Sequence, residues 1–348
     1  MRLAVRMRVR LDGTGPSDGL PVAGCGCVTC RAATVDAVRR APLRAVVDGG
    51  LVLSTDGPVT ESDLLVELVG DGAWAVSSDA ERLLWSPGGE VPAAVGASYD
   101  LVLLGMGDGL RSWPLRVAEL RRSGVVTRST LLCAVAAGHA QPPPSELDGS
   151  LALWGATAPR DGTVLDTAAQ GSVQVRPSRV LVVGGARSGK SAYAELRLAA
   201  EPDVVYVATA PPQEDDAEWA LRVQAHVERR PSSWRTIETG DVVAALACGW
   251  PVLVDDLGLW LVRLLDGCAA WTDALPPEVP AACDQLVAAW AACETGAVLV
   301  VPEVGSGVVP ATASGRLFRD LLGSLTSQLA QQSDEVVQVV AGLPRRLR

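Results

Sequence analysis

Three groups of residues in this chain of 348 residues have types and spacings that could support chemistry. A glycine-rich stretch, LVVGGARSGKS, occupies residues 181–191. His226 precedes two arginines in the stretch QAHVERRP. Three cysteines, at positions 25, 27 and 30, share a turn-rich loop, and the other histidine of the chain, His139, follows much later. The three groups suggest phosphate binding, nucleophilic catalysis and metal binding, respectively.

The glycine-rich stretch fits the pattern G-x-x-x-x-G-K-[ST], which binds nucleotide phosphates on backbone N–H groups. In this pattern the lysine, Lys190, reaches the β- and γ-phosphates, and the hydroxyl of Ser191 ligates Mg²⁺. The apolar run at residues 179–183 predicts a buried parallel strand, and residues 191–200 predict a helix. This context favours a phosphate-binding loop over a chance glycine-rich turn. We therefore expect nucleotide contacts from Gly184, Gly185, Ala186, Arg187, Ser188, Gly189, Lys190 and Ser191.

The cysteine loop has the composition of a zinc site. Cys25, Cys27 and Cys30 are close enough in sequence to share one ion, and zinc commonly takes several thiolates completed by an imidazole. His139 is the histidine available in this half of the chain. Because the sequence does not show whether His139 folds back to the loop, three unmetallated cysteines stay open as the alternative.

Length and composition set the frame for these sites. The length predicts two domains, residues 1–175 and 178–348, with a linker region over residues 157–177. The formal charge of −10 argues against nonspecific nucleic-acid binding, and no uninterrupted apolar run is long enough for a membrane helix. The eight cysteines are too sparse for a disulfide scaffold. We therefore expect a globular, cytoplasmic protein.

The first half resembles a known fold family at two places. Residues 13–33, GTGPSDGLPVAGCGCVTCRAA, resemble the start of phosphodiesterase-type members of the metallo-β-lactamase fold family. Some of those members hold a structural zinc on three such cysteines and a distant histidine. Residues 131–144 resemble the late strand and loop of that family, but Ala136 stands where it has a catalytic histidine. No histidine precedes His139 to supply the catalytic cluster H-x-H-x-D-H. The resemblance implies a shortened, catalytically silent α+β domain with zinc on Cys25, Cys27, Cys30 and His139.

The second half alternates apolar runs with helical patterns, which predicts an α/β domain with a mostly parallel sheet. Residues 203–209 predict a strand that ends in small and hydroxyl residues, where ligands often bind. Residues 215–228 predict a helix that contains His226. Residues 250–255 predict a strand that ends at Asp255 and Asp256, a usual position for an Mg²⁺-linked acid. A plain helix-capping or surface role for either aspartate is the alternative.

The motifs of the second half also occur in the order found in one enzyme family. QAHVERRP, WRTIE, VLVDDLGLWLVRLL, PEVGSGVVP and VVAGLP follow the loop between residues 224 and 344. They resemble the bifunctional adenosylcobinamide kinase and adenosylcobinamide-phosphate guanylyltransferase of cobalamin synthesis. The resemblance implies that His226 accepts GMP from GTP and that Glu238 helps to bind the guanine nucleotide. The further nucleotide-binding residues it suggests are Ala208, Thr209, Ala210, Val227, Glu228, Arg229, Arg230 and Asp255. Arg229 and Arg230 could neutralise phosphate charge or lie on the surface.

The resemblance leads to a specific expected function. The second domain would phosphorylate adenosylcobinamide with ATP or GTP and Mg²⁺, and would then transfer GMP through His226 to give adenosylcobinamide-GDP. A homo-oligomer, a trimer by resemblance, is expected. Four residues, Gly258, Arg263, Pro302 and Thr326, depart from the family pattern, and Asp256 replaces a commoner cysteine. The alternatives are a P-loop kinase for another small molecule and a non-catalytic nucleotide-binding protein.

Overall fold

The computed structural model describes residues 7–48, 50–59, 63–91, 98–107, 109–167, 178–210, 230–271 and 275–348. The chain divides into two compact units, residues 1–175 and 176–348. The predicted helix at residues 215–228 lies outside the described residues. Within the described ranges, no helix combines the length and the apolar character that a membrane crossing requires.

The amino-terminal unit contains two β-sheets. Its elements are β1 (Arg8–Gly13), α1 (Val28–Val35), β2 (Arg44–Val47), β3 (Leu51–Ser54), β4 (Gly57–Pro58), β5 (Leu65–Gly70), β6 (Ala73–Ser77), β7 (Arg82–Ser86), β8 (Leu101–Gly105), α2 (Trp113–Arg122), β9 (Leu131–Val135), α3 (Pro144–Leu153), β10 (Ala156–Thr157) and β11 (Val164–Asp166). One sheet is antiparallel, in the order β11-β1-β2-β3-β4. The other is mixed, in the order β10-β9-β8-β7-β6-β5.

The two sheets of this unit share one apolar core. Val9 and Leu11 of β1 are fully buried in the same cluster as Leu83 of β7 and Leu101 of β8. Strands β7, β8, β9 and β10 run parallel, whereas β5 and β6 are antiparallel additions. The expected α+β class therefore describes this unit only in part. The helices α2 and α3 lie in the connections between parallel strands, an arrangement that the sequence analysis did not predict.

The carboxyl-terminal unit is built on one seven-stranded sheet. Its elements are β12 (Arg179–Gly184), α4 (Lys190–Leu198), β13 (Val205–Ala208), β14 (Arg235–Glu238), α5 (Val242–Leu246), β15 (Val252–Asp255), α6 (Leu257–Gly267), α7 (Glu278–Ala292), β16 (Ala297–Pro302), α8 (Ala313–Gln332), β17 (Glu335–Val340) and β18 (Leu343–Arg346). The strand order is β14-β13-β15-β16-β12-β17-β18. All neighbours are parallel except β18, which is antiparallel to β17. The predicted mostly parallel α/β sheet is confirmed.

The seven-stranded sheet is buried on both faces, as parallel sheets require. Along β12, Leu181 and Val183 belong to one apolar cluster, and Val180 and Val182 belong to the opposite one. The first cluster includes buried residues of α5, α6, α7 and α8, and the second includes Ala194 and Leu198 of α4. Polar side chains that carry chemistry must therefore lie at or beyond the strand ends.

We expect Leu299→Ala to destabilise the carboxyl-terminal unit by about 2–5 kcal/mol, because it leaves a cavity in the centre of the sheet. Leu299 lies in β16 and is fully buried, whereas Leu343 in β18 is 71% exposed. The matched control Leu343→Ala should change the free energy of unfolding by less than about 0.5 kcal/mol. Denaturant unfolding of both variants measures the difference. Equal losses in the two variants would contradict the assignment of Leu299 to the core.

Candidate nucleotide and metal sites

Parallel register brings three of the predicted site residues to one edge of the sheet. Ala208 at the end of β13 pairs with Glu238 at the end of β14 and with Asp255 at the end of β15. Gly184 at the end of β12 pairs with Pro302 of β16. Because all five strands run in the same direction, their carboxyl ends form a continuous row. This edge is where open α/β sheets usually bind ligands.

The glycine-rich stretch connects β12 to the N-terminus of α4, as predicted. Gly189 has a φ of +93° and precedes the first helical residue, Lys190. A Cβ on Gly184 would lie only 2.7 Å from the carbonyl oxygen of Val339, so a side chain cannot fit there. The backbone N–H of Gly342 donates to the carbonyl of Ser188 at 2.8 Å, which ties the loop to the segment after β17. The loop is therefore held by the segment after β17. It leads directly into the N-terminus of α4, where backbone N–H groups can bind phosphate.

Ser191 and Asp255 meet across this edge. The Ser191 hydroxyl donates to Asp255 Oδ1 at 3.1 Å. The other carboxylate oxygen of Asp255, Oδ2, accepts a hydrogen bond of 2.7 Å from the Tyr206 hydroxyl. Neighbouring oxygen ligands of an octahedral Mg²⁺ lie about 2.9 Å apart, since each Mg–O distance is about 2.0–2.1 Å. The spacing of the Ser191 and Asp255 oxygens therefore fits two positions around such an ion.

The second acid, Asp256, has two structural partners. Its Oδ1 accepts from the backbone N–H of Leu259 at 3.0 Å and caps the N-terminus of α6. Its Oδ2 lies 4.0 Å from Lys190 Nζ. Burial raises the pKa of Asp256, and the neighbouring charge of Asp255 raises it further. The capping role that the sequence left open for Asp256 is thus observed, together with an ion pair to the loop lysine that sequence reasoning missed.

The remaining predicted nucleotide-binding residues differ in their burial, and some of them lie outside the described residues. Thr209 is fully buried, and its hydroxyl donates to the carbonyl of Asp256 at 2.7 Å. Glu238 is exposed at the end of β14, and Ala210 is partly buried. His226, Val227, Glu228 and Arg229 lie outside the described residues.

Arg230 is directed into the protein rather than toward solvent. Its guanidinium carbon lies 3.2 Å from the centroid of the Tyr206 ring, and its side chain is only 8% exposed. Arg230 Nη1 donates to the Thr236 hydroxyl at 3.2 Å, and Arg230 Nε lies 3.9 Å from Glu195 Oε1. A role as a phosphate ligand stays a prediction for Arg230, whereas its contact with Tyr206 is a structural fact.

Tyr206 itself was missed as a site residue by sequence reasoning. It is 2% exposed in β13, and its neighbours in that strand are aliphatic. The available signal was the phenol hydroxyl in a buried strand, because a buried tyrosine usually needs a hydrogen-bond partner. The identity of that partner, Asp255, depends on the pairing of β13 with β15, which the sequence pattern does not specify.

In the amino-terminal unit, the structure brings the three cysteines and His139 together. The ligand atoms of Cys25, Cys27, Cys30 and His139 all lie within 4.8 Å of one another. Tetrahedral zinc with Zn–S bonds of about 2.3 Å and Zn–N bonds of about 2.0 Å places three sulfurs and one nitrogen about 3.5–3.8 Å apart. Cys25 Sγ is already 3.4 Å from His139 Nδ1. The cluster fits a closed, four-ligand zinc site, with shifts of about 1 Å at most.

Local backbone contacts hold this cluster in place. Cys27 is the N-cap of α1, and its sulfur accepts from the backbone N–H of Cys30 at 3.4 Å. That hydrogen bond is the largest cause that lowers the pKa of Cys27 to about 7. The hydroxyl of Thr29 donates to the carbonyl of Gln141 at 2.6 Å, so the first turn of α1 is attached to the segment that carries His139. This contact brings the distant histidine to the loop.

The four positions that depart from the family pattern also have defined surroundings. A Cβ on Gly258 would lie 2.5 Å from Pro302 Cγ, so these two departures are direct neighbours. A Cβ on Gly240 would lie 3.1 Å from Arg263 Cδ, which places Arg263 beside the turn after β14. The hydroxyl of Thr326 donates to the carbonyl of Leu322 within its own helix at 2.6 Å. Gly258 and Pro302 are therefore neighbours near the carboxyl end of β16.

The strand–loop–helix at the edge of a parallel sheet, with a serine and an aspartate facing each other, is the arrangement typical of nucleotide-binding α/β units of the P-loop class. Residues 180–347 match the family model for CobU, cobinamide kinase / cobinamide phosphate guanyltransferase. The chain belongs to this family.

Two relatives extend this finding. The bifunctional adenosylcobalamin biosynthesis protein CobU of Salmonella typhimurium is 35% identical over 181 residues, which cover 49% of this chain and 99% of the relative. The corresponding protein CobP of Pseudomonas aeruginosa is 39% identical over 177 residues, which cover 49% of this chain and 97% of the relative.

Zn²⁺-bound PqqB from Methylobacterium extorquens aligns with 46% of this chain and 99% of its own length, at 13% identity and a TM-score of 0.32. That TM-score is too low to assign a fold.

We expect Asp256→Ala to unfold more readily than Asp256→Asn. Both variants remove the negative charge beside Lys190, but asparagine retains an oxygen that can accept from the N–H of Leu259. Loss of an N-cap costs about 0.5–2 kcal/mol, so the two variants should differ by that amount in their free energy of unfolding. Denaturant unfolding measures the difference. If the two variants unfold at the same denaturant concentration, the cap of α6 does not contribute to stability.

Proposed function

We propose that residues 178–348 phosphorylate adenosylcobinamide and then guanylylate the product. The observation that carries this proposal is the family match across residues 180–347 on a sheet whose loop serine faces an aspartate. Both halves of the activity use nucleotide phosphates, which the loop and the N-terminus of α4 are suited to bind.

In the kinase step, the hydroxyl oxygen of the corrinoid aminopropanol group attacks the γ-phosphorus of ATP or GTP. The bond to the β–γ bridging oxygen breaks, the nucleoside diphosphate leaves, and the hydroxyl proton passes to solvent. The protein contributes mainly positioning and charge stabilisation. Lys190 exchanges its pairing with Asp256 for the phosphates. Ser191 and Asp255 would hold Mg²⁺, which would supply positive charge to neutralise the phosphates.

In the guanylyl-transfer step, a ring nitrogen of His226 attacks the α-phosphorus of GTP and pyrophosphate leaves. A phosphate oxygen of adenosylcobinamide phosphate then attacks the same phosphorus, breaks the P–N bond and restores the free imidazole. Neutral histidine is a competent nucleophile for such a two-step transfer. His226 lies outside the described residues, so its role rests on the sequence resemblance and the family match.

The assignment of a corrinoid substrate rests on the family match rather than on the geometry of the phosphate-binding loop. Gly258 and Pro302 occupy the carboxyl edge without hydrogen-bonding side chains, and they alter a surface that the substrate would contact. We propose adenosylcobinamide and its phosphate as substrates, Glu238 as a guanine-nucleotide contact, and a homo-oligomer working in the cytoplasm. A kinase for another small molecule is the alternative that these departures favour.

Incubation with GTP and Mg²⁺ should add a GMP-sized, acid-labile mass to the wild-type chain but not to His226→Ala. The reason is that the phosphorus–nitrogen bond of a histidine adduct requires the imidazole of residue 226. Intact-protein mass spectrometry measures the gain, and peptide mapping should locate it to the peptide that contains residue 226. ATP in place of GTP is the control and should add no GMP.

A wild-type chain that binds GTP but gains no mass would contradict the covalent mechanism. Phosphorylation of adenosylcobinamide in that case would leave the kinase half of the proposal standing. GTP binding with neither transfer would favour a non-catalytic nucleotide-binding protein.

For the amino-terminal unit, we propose a reduced metallo-β-lactamase-like domain that retains a structural zinc and no catalysis. The cluster of Cys25, Cys27, Cys30 and His139 supports the zinc, because its donors suit a closed site. The absence of catalysis is supported by the sequence, because no histidine precedes His139 to supply the cluster H-x-H-x-D-H. Zinc would stabilise the junction between α1 and the segment around His139.

We expect the purified protein to contain about one zinc per chain, held by the four-ligand cluster. Cys30→Ser should lower the zinc content strongly, because the buried sulfur of Cys30 contributes one of four ligands. Cys248→Ser is the matched control, since Cys248 is an exposed thiol outside the cluster, and it should keep its zinc. Elemental analysis by mass spectrometry measures both. Equal zinc in the two variants, or none in the wild type after zinc supplementation, would rule out this site.

A further inference from the structure

Tyr206 and Ser191 contact different oxygens of the same carboxylate. The Tyr206 hydroxyl lies 2.7 Å from Asp255 Oδ2, and the Ser191 hydroxyl lies 3.1 Å from Asp255 Oδ1. Two donors on different oxygens fix the rotation of a carboxylate better than one donor can, because each bond restricts the torsion that the other leaves free. Oδ1, the oxygen beside Ser191, is also the oxygen that faces the phosphate-binding loop.

The Tyr206 hydroxyl is a permanent donor in this environment. A phenol ionises only at about pH 10, so the Tyr206 hydroxyl keeps its proton at neutral pH and acts as a donor to the Asp255 carboxylate. A hydrogen bond to an ionised acceptor is stronger than one between neutral groups.

The ring of Tyr206 is itself held in place. The guanidinium of Arg230 stacks on the ring at 3.2 Å from its centroid, and Tyr206 belongs to the apolar cluster that includes Leu198 and Leu253. The aromatic side chain is therefore fixed by packing and by a cation–π contact. A fixed ring gives its hydroxyl a defined position beside Asp255.

We propose that Tyr206 is a positioning residue that orients Asp255 for the Mg²⁺ ion of the bound nucleotide. This inference rests on the proposed function, because it takes Asp255 as the metal-linked acid. Tyr206 occupies Oδ2, so that Oδ1 is presented toward Ser191 and the metal. The role of Tyr206 is that of an outer partner, which sets the direction of a ligating carboxylate.

The test compares Tyr206→Phe with Tyr193→Phe. The first variant removes only the hydroxyl that contacts Asp255. Tyr193 packs against the same apolar cluster, but its hydroxyl interacts with Arg197. Binding of a fluorescent GTP analogue is titrated with Mg²⁺ and repeated in EDTA, which separates metal-dependent from metal-independent affinity. The Mg²⁺ concentration for half-maximal kinase activity is measured in parallel.

We expect Tyr206→Phe to require about 10–100-fold more Mg²⁺ in both measurements, with unchanged nucleotide affinity in EDTA. Tyr193→Phe should follow the wild type in all of them. If the wild type responds to Mg²⁺ and Tyr206→Phe titrates identically, the positioning role is wrong while the proposed function stands. An equal loss with and without Mg²⁺ would indicate a merely structural tyrosine and would also overturn the inference. A wild type whose nucleotide affinity ignores Mg²⁺ would overturn both the inference and the metal role of Asp255.

Discussion

The meeting of Ser191 and Asp255 depends on a single constraint, the parallel register of β12, β16, β15 and β13. A parallel sheet covered by helices on both faces has no room for unpaired polar side chains in its middle. The buried positions of its central strands are accordingly mostly aliphatic, and the groups that could bind a nucleotide are placed where the strands end. Asp255 is brought beside the loop because β15 is separated from β12 by only one strand, β16.

Asp255 and Asp256 are adjacent carboxylates at one strand end, and their charges would repel each other. The structure stabilises each of them with different partners. Asp255 accepts hydrogen bonds from two hydroxyls, whereas Asp256 is stabilised by the first turn of α6 and by Lys190. The raised pKa of Asp256 records the residual cost of burying a second acid beside the first. Asp255 thus presents an oxygen to the loop, while Asp256 is committed to the helix. The two residues have different tasks although they are neighbours in sequence.

Much of this arrangement follows from local sequence signals, and the rest depends on long-range pairing. The strand before the loop, the helix after it and the mostly parallel class were predictable, because glycine spacing and apolar runs are local. The partnership of Tyr206 with Asp255 joins residues 49 positions apart, and Cys25 meets His139 across 114 positions. No periodicity encodes such contacts. The contact of Arg230 with the Tyr206 ring could not be predicted either, because an arginine before a proline carries no local signal for the aromatic ring on which it stacks.

The contact between Lys190 and Asp256 bears on how the loop could accept a phosphate. Lys190 Nζ is 4.0 Å from Asp256 Oδ2, which is an ion pair at the limit of direct contact, and both side chains are mostly buried. A weak ion pair keeps the lysine oriented. Little stabilising free energy is lost when a phosphate replaces the carboxylate as its partner. Asp256 does not become an unpaired buried anion after that exchange, because its Oδ1 retains the N–H of Leu259. The helix cap would therefore keep Asp256 stabilised if Lys190 moves to a phosphate, as the proposed function requires.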